Sequence, residues 1–174
     1  MELIDVYNNY GKKTGQVVPI TTKDSEFKEN EHIGVAIIYI ENNNGEFLIQ
    51  KTSKQKGGFY SATGGHITHG EDPIDTIKRE VKEELGLDIY NDNITDLGYI
   101  VIDFPVRFIF YLKKNVDITK LKLQKVEVES VEYMTLAKIK ELINNNLMHK
   151  VHYKVLEIIL EYKERINKEW NIIL

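Results

Sequence analysis

The sequence predicts a mixed α/β fold, an α+β arrangement built on a central sheet, and three patterns carry that expectation. Ile33 to Ile40 is an apolar run rich in β-branched residues, as in a strand buried on both faces. Ile74, Ile77, Val81 and Leu85 recur at spacings of 3, 4 and 4, the stripe of an amphipathic helix. Val151 to Trp170 repeats a helical pattern over a longer span, apolar at Val151, Val155, Ile158, Ile159 and Tyr162.

The other elements fall into place around these. Residues 1–31 read as two short strands joined at Asn8-Asn9-Tyr10-Gly11, followed by a polar linker from Thr21 to Glu31. After the central strand, Asn44-Gly45 signals a hairpin, and Phe47 to Lys51 pairs back antiparallel. A basic loop, Lys54 to Gly58, leads through Phe59-Tyr60-Ser61 into a glycine turn. Asp72 suits an N-cap, Pro73 the first helical position and Gly86 the helix stop. Leu97 to Ile102 and Phe104 to Leu112 are further strands, with Pro105 marking an edge or the start of the second. Glu127 to Met134 is the last strand. Thr135 then caps a helix that runs to Ile143 and breaks at Asn144-Asn145-Asn146. One domain over 1–174 is expected, with 1–31 as a hairpin extension and 135–174 as C-terminal helices. The chain end, with Trp170 and Ile172-Ile173-Leu174, is expected to pack on the sheet or to form a dimer contact.

Composition narrows the function. With 23 basic and 27 acidic residues the net charge is −4, which argues against a partner such as duplex nucleic acid. A phosphorylated small molecule stays open, because a metal ion can supply the missing positive charge. The absence of cysteine rules out disulfides, thiolate zinc sites and a cysteine nucleophile. No apolar run reaches the roughly 18 residues of a membrane span, and Met1 to Val6 lacks the features of a signal peptide. A cytoplasmic protein without a membrane partner is the expectation.

The densest chemistry lies on the first helix. Glu80, Glu83 and Glu84 stand within one turn, where three carboxylates repel unless a cation sits among them. Hard oxygen donors suit magnesium. The stretch from 65 to 87 resembles the Nudix box, G-x5-E-x7-R-E-U-x-E-E-x-G-U with U a bulky aliphatic residue. Gly65, Glu71, Arg79, Glu80, Val81, Glu83, Glu84, Gly86 and Leu87 fill all nine specified positions.

The resemblance implies an α/β/α sandwich with a mixed central sheet, the box helix on one side and the C-terminal helices packed on the sheet. It also implies Mg2+ or Mn2+ as cofactor. Glu80 and Glu84 would be the principal ligands, Glu83 a further one, and the Gly64 carbonyl a cap from the loop. Glu71 and Arg79 would hold the ligand acids in place. The implied reaction is hydrolysis of a diphosphate in a nucleoside diphosphate linked to a group X, by water attack on phosphorus. A carboxylate positions or deprotonates that water: Glu80 from the box, or Glu127 or Glu129 from the late strand. The alternative from another class is a ligand-sensing Nudix module without turnover.

Beyond the box, Lys51 and the Lys54–Lys56 loop are expected to contact phosphate, the loop lysines having solubility as their plainer role. Phe59 or Tyr60 is expected at the core or rim, with base stacking as the alternative, and Arg107 faces pocket or solvent. His149 and His152, three apart without a third ligand, are expected on a polar helix face, and His69 is expected to be exposed. His66 is either a pocket hydrogen-bonder or a turn residue. Asp5-Val6-Tyr7, Gly11 to Gly15, His32 and Gly64-Gly65-His66 are similar to the isopentenyl-diphosphate isomerase-like branch of the family. That branch places a catalytic cysteine where this chain has Gly64, so the isomerase reading recedes. A monomer or a homodimer is compatible with the sequence.

Overall fold

A computed structural model describes the backbone of residues 1–173 and the side chains of residues 1–169. The elements in chain order are β1 (Leu3–Tyr7), β2 (Lys13–Pro19), β3 (His32–Glu41), β4 (Phe47–Thr52), β5 (Tyr60–Ser61), β6 (Thr63–His66), α1 (Pro73–Leu85), β7 (Thr95–Val101), β8 (Val106–Lys113), β9 (Val128–Met134), α2 (Leu136–Asn144) and α3 (Val151–Ile173). The choice between sheet packing and a dimer contact at Trp170 and Ile172-Ile173-Leu174 lies outside the described side chains.

β3 is the hub of the sheet. It runs parallel to β8 from Gly34–Val106 to Glu41–Lys113, and antiparallel to β6, β1 and β4. The sheet is therefore mixed, as expected. Side chains alternate across β3, so Tyr39 enters one apolar layer while Ile38 and Ile40 enter the other. The first layer is closed by α2 and α3 through Ile139, Ile143, Val155 and Ile159, the second by α1 through Ile77, Val81 and Leu85. This is the α/β/α sandwich.

Local expectations hold with a few corrections. Thr135 caps α2, its hydroxyl accepting from the Lys138 N–H at 3.3 Å. Asp72 occupies the N-cap of α1 but makes no side-chain cap hydrogen bond; Glu71 anchors that helix start by accepting from Thr76 Oγ1 at 2.9 Å. Pro105 stands just before β8, an inner strand between β3 and β7, so it marks a start and not an edge. His152 is not on a polar face. It is buried at 4% exposure beneath the sheet, because the first turn of α3 packs inward there.

Candidate active site

The site begins where the sheet parts. β3 and β4 pair only at Glu41–Phe47, and the β5–β6 segment fills the opening, with Ser61 opposite Gln50 and Gly64 opposite Ile37. A Cβ on Gly64 would stand 2.3 Å from the Ala36 carbonyl oxygen, and one on Gly65 would stand 2.1 Å from Glu80 Oε1. Glycine is required at Gly64, which meets backbone, while a side chain at Gly65 would push the Glu80 carboxylate out of its place. The gain is that α1 can lay Glu80 directly against the loop.

Gly64, Glu80, Glu83, Glu84, Lys56 and Glu127 border one cavity of about 410 Å³. Arg79 ties its acids together. Nε donates to Glu71 Oε1 at 2.8 Å, Nη1 to Glu80 Oε1 at 2.8 Å and to Glu83 Oε2 at 3.2 Å, and Nη2 to the His66 carbonyl at 3.3 Å. Burial opposes ionisation of Glu71, but hydrogen bonds from Arg79, Thr68 and Thr76 outweigh it and bring its pKa to about 2.

Glu84 sits in the opposite regime. Its Oε2 accepts from Gln50 Nε2 at 2.9 Å, and Gln50 Oε1 accepts from Thr63 Oγ1 at 2.9 Å. Burial nonetheless raises the Glu84 pKa to about 7, and burial raises that of Glu80 against the pull of Arg79. Carboxylates in such surroundings favour a neighbouring cation. Among the described residues no three carboxyl or imidazole groups are already grouped as ligands of one ion. The donor chemistry still fits a hard divalent cation, with the half-buried Glu80 and the buried Glu84 one turn apart against a glycine-lined backbone.

The remaining candidates divide. Glu127 reaches this cavity and pairs with Lys56 at 2.9 Å, whereas Glu129 pairs with Lys51 at 3.1 Å, away from the cavity lining. Of the lysines expected to contact phosphate, Lys56 borders the cavity and Lys51 does not. His66 lines the cavity at the end of β6. Arg107 donates to the carbonyls of Ile102 and Pro105 and so serves its own turn.

One contribution had no local signal. Glu2 and Ile20, from the N-terminal hairpin, also line the cavity. The hairpin is fastened to the loop before α1: Asp5 accepts from His69 Nδ1 at 2.7 Å and from the Gly70 N–H at 3.1 Å, and pairs with Lys13 at 2.9 Å. Lys13 Nζ in turn donates to the Glu71 carbonyl at 2.8 Å. His69 is exposed, as expected, and its ring also ties the loop to Asp5.

A family model described as the NUDIX domain matches residues 30–157. The chain belongs to the Nudix family. It is 32% identical over 118 residues to an uncharacterized Nudix hydrolase of Listeria innocua, across 62% of this chain and 66% of that one, just short of two thirds of the relative's length. It is 34% identical over 83 residues to an 8-oxo-dGTP diphosphatase of Proteus vulgaris, across 47% of this chain and 71% of that one. A Deinococcus radiodurans protein shares this fold with a TM-score of 0.66 at 18% identity, over 80% of this chain and 90% of the other. The N-terminal hairpin, residues 3–19, lies outside the matched Nudix segment.

Proposed function

We propose that this Nudix chain hydrolyses the diphosphate linkage of a nucleoside diphosphate joined to a further group, with Mg2+ or Mn2+ as cofactor. The observation that carries the reading is the placement of Glu80 and Glu84 against Gly64-Gly65 in one cavity, braced by the Arg79–Glu71 pair. The likeness to a diphosphatase of 8-oxo-dGTP supports a nucleotide substrate.

Glu80, Glu84, Glu83 and the Gly64 carbonyl would hold the metal. When bound, the ion supplies Lewis acidity, neutralising phosphate oxygens and acidifying a water molecule. The chain's own groups do the rest. Arg79 fixes the rotamers of Glu80 and Glu83, and Glu71 keeps Arg79 in place. Lys56 gives the cavity a positive charge for the diphosphate. A carboxylate takes the proton of the attacking water, and of the three candidate bases Glu80 and Glu127 border the cavity.

The test is release of nucleoside monophosphate from a panel of nucleoside diphosphate compounds, with and without magnesium. Magnesium-dependent release is expected. Tight binding of a panel member with no release from any would replace the hydrolase with a sensing module.

A further inference from the structure

Position 50 breaks the pattern of its strand. β4 opens with Phe47-Leu48-Ile49, all buried and apolar, and then places Gln50, which is 4% exposed. Leu48 belongs to the apolar layer under α1, so alternation turns Gln50 to the same side. Thr63 and Gly65 likewise share one face of β6, and Gly65 is the position against which Glu80 lies. A buried amide costs free energy unless it is hydrogen-bonded. A leucine would continue the apolar strand at no such cost, so packing does not account for glutamine here.

The amide is a link in a polar chain. Thr63 Oγ1 donates to Gln50 Oε1 at 2.9 Å, and Gln50 Nε2 donates to Glu84 Oε2 at 2.9 Å. The neighbours set its direction: the carboxylate accepts and the hydroxyl supplies a proton, so the NH2 group faces Glu84. The amide is thus anchored on two strands, β4 through its own backbone and β6 through Thr63. Among the described residues Glu84 Oε1 takes no hydrogen bond, and Glu84 borders the catalytic cavity. The two acids one turn apart are therefore restrained in different ways. Arg79 holds Glu80 by Oε1 through a guanidinium, which also offsets its charge. Gln50 holds Glu84 by Oε2 through a neutral group, which fixes the carboxylate and leaves its charge for another partner.

We propose that Gln50 is a positioning residue: oriented by Thr63, it fixes Glu84 by one oxygen and leaves the other, with its charge, to hold a divalent cation. The proposal rests on the hydrolase reading and adds to the machinery a strand residue outside the acidic helix. A hydrogen bond from behind a ligand carboxylate sets its direction, and losing it costs about 10- to 100-fold in metal affinity. A cationic donor at position 50 would fix Glu84 as firmly while cancelling its charge. The neutral amide does the first without the second.

The test is Mn2+ binding to the full chain, read from the electron paramagnetic resonance of the free ion, with thermal melts of each metal-free variant alongside. Gln50→Met keeps the length of the side chain and removes the donor; it is expected to weaken Mn2+ binding about tenfold or more. Gln50→Lys returns a donor together with a positive charge, and is expected to weaken binding as well. Thr63→Val, which no longer turns the amide, should weaken it in the same direction. Thr63→Ser keeps the hydroxyl and should bind as the parent does. In turnover, the Mg2+ concentration that gives half the maximal rate should rise about tenfold in Gln50→Met, with KM for the nucleotide within about twofold. Parent-like Mn2+ affinity in folded Gln50→Met or Gln50→Lys, or in folded Thr63→Val, overturns the positioning role. Mn2+ affinity that falls in these variants, with no nucleoside monophosphate released by the parent, overturns the hydrolase reading alone. A parent chain without Mn2+ affinity overturns both.

Discussion

Glu71 carries a charge on which the acidic helix depends, since it is the fixed partner of Arg79. Its pKa falls from an ordinary 4.5 to about 2 on folding. A depressed carboxylate contributes stability that is fully present above its unfolded pKa and is lost as pH falls through the folded value. Thermal melts between pH 5 and 2 should therefore show a steep loss of stability that Glu71→Gln flattens. A variant that melts with the same acid limb as the parent would remove Glu71 from this role. For the reaction, replacing the general base should lower kcat by about 10²-fold or more. Glu80→Gln and Glu127→Gln, assayed side by side, assign it. A Glu80→Gln enzyme with an almost unchanged rate would exclude Glu80 both as base and as principal ligand.

At the scale of elements, the strong periodicities were legible and the weak ones were not. β3, α1 and α3 announce themselves because burial on one face or two repeats along the sequence. β5 and β6 do not, being two and four residues long, and β6 carries two glycines that strand propensity disfavours. The burial of His152 was equally hidden, because Tyr39, its partner, is 113 residues away. The acids of the site were legible since they share one helix. The loop holding Lys56 was a candidate as well, whereas the hairpin residues Glu2 and Ile20 reach the cavity only through tertiary packing. The hairpin gives a prediction of its own. Asp5→Asn removes the charge that holds Lys13 and His69 while nearly keeping the shape. Amide exchange at Gly70 and Glu71 should quicken, and kcat should fall several-fold through the Glu71–Arg79 brace. Exchange rates identical to those of the parent would show that the loop does not need the hairpin.

Across the molecule, α3 is fixed to the sheet by a buried charge as well as by apolar packing. Glu41, at the end of β3 and 1% exposed, accepts from Tyr111 Oη at 2.7 Å and from Lys163 Nζ at 2.6 Å. Breaking such a pair from one side leaves a buried charge uncompensated, at a cost of about 3–5 kcal/mol. Lys163→Met should lower stability toward that range in denaturant titrations, and adding Glu41→Gln should recover much of it. Equal losses in the single and double variants would show that Glu41 is not the group left stranded.

The crowding at Gly64 also bears on how this chain could change its chemistry in evolution. Gaining the isomerase-type cysteine takes one codon at that position, yet its Cβ would meet the Ala36 carbonyl oxygen at 2.3 Å. That oxygen is backbone in the central strand, so no side-chain rotation relieves the collision. That cysteine is one substitution away in sequence and a strand displacement away in space.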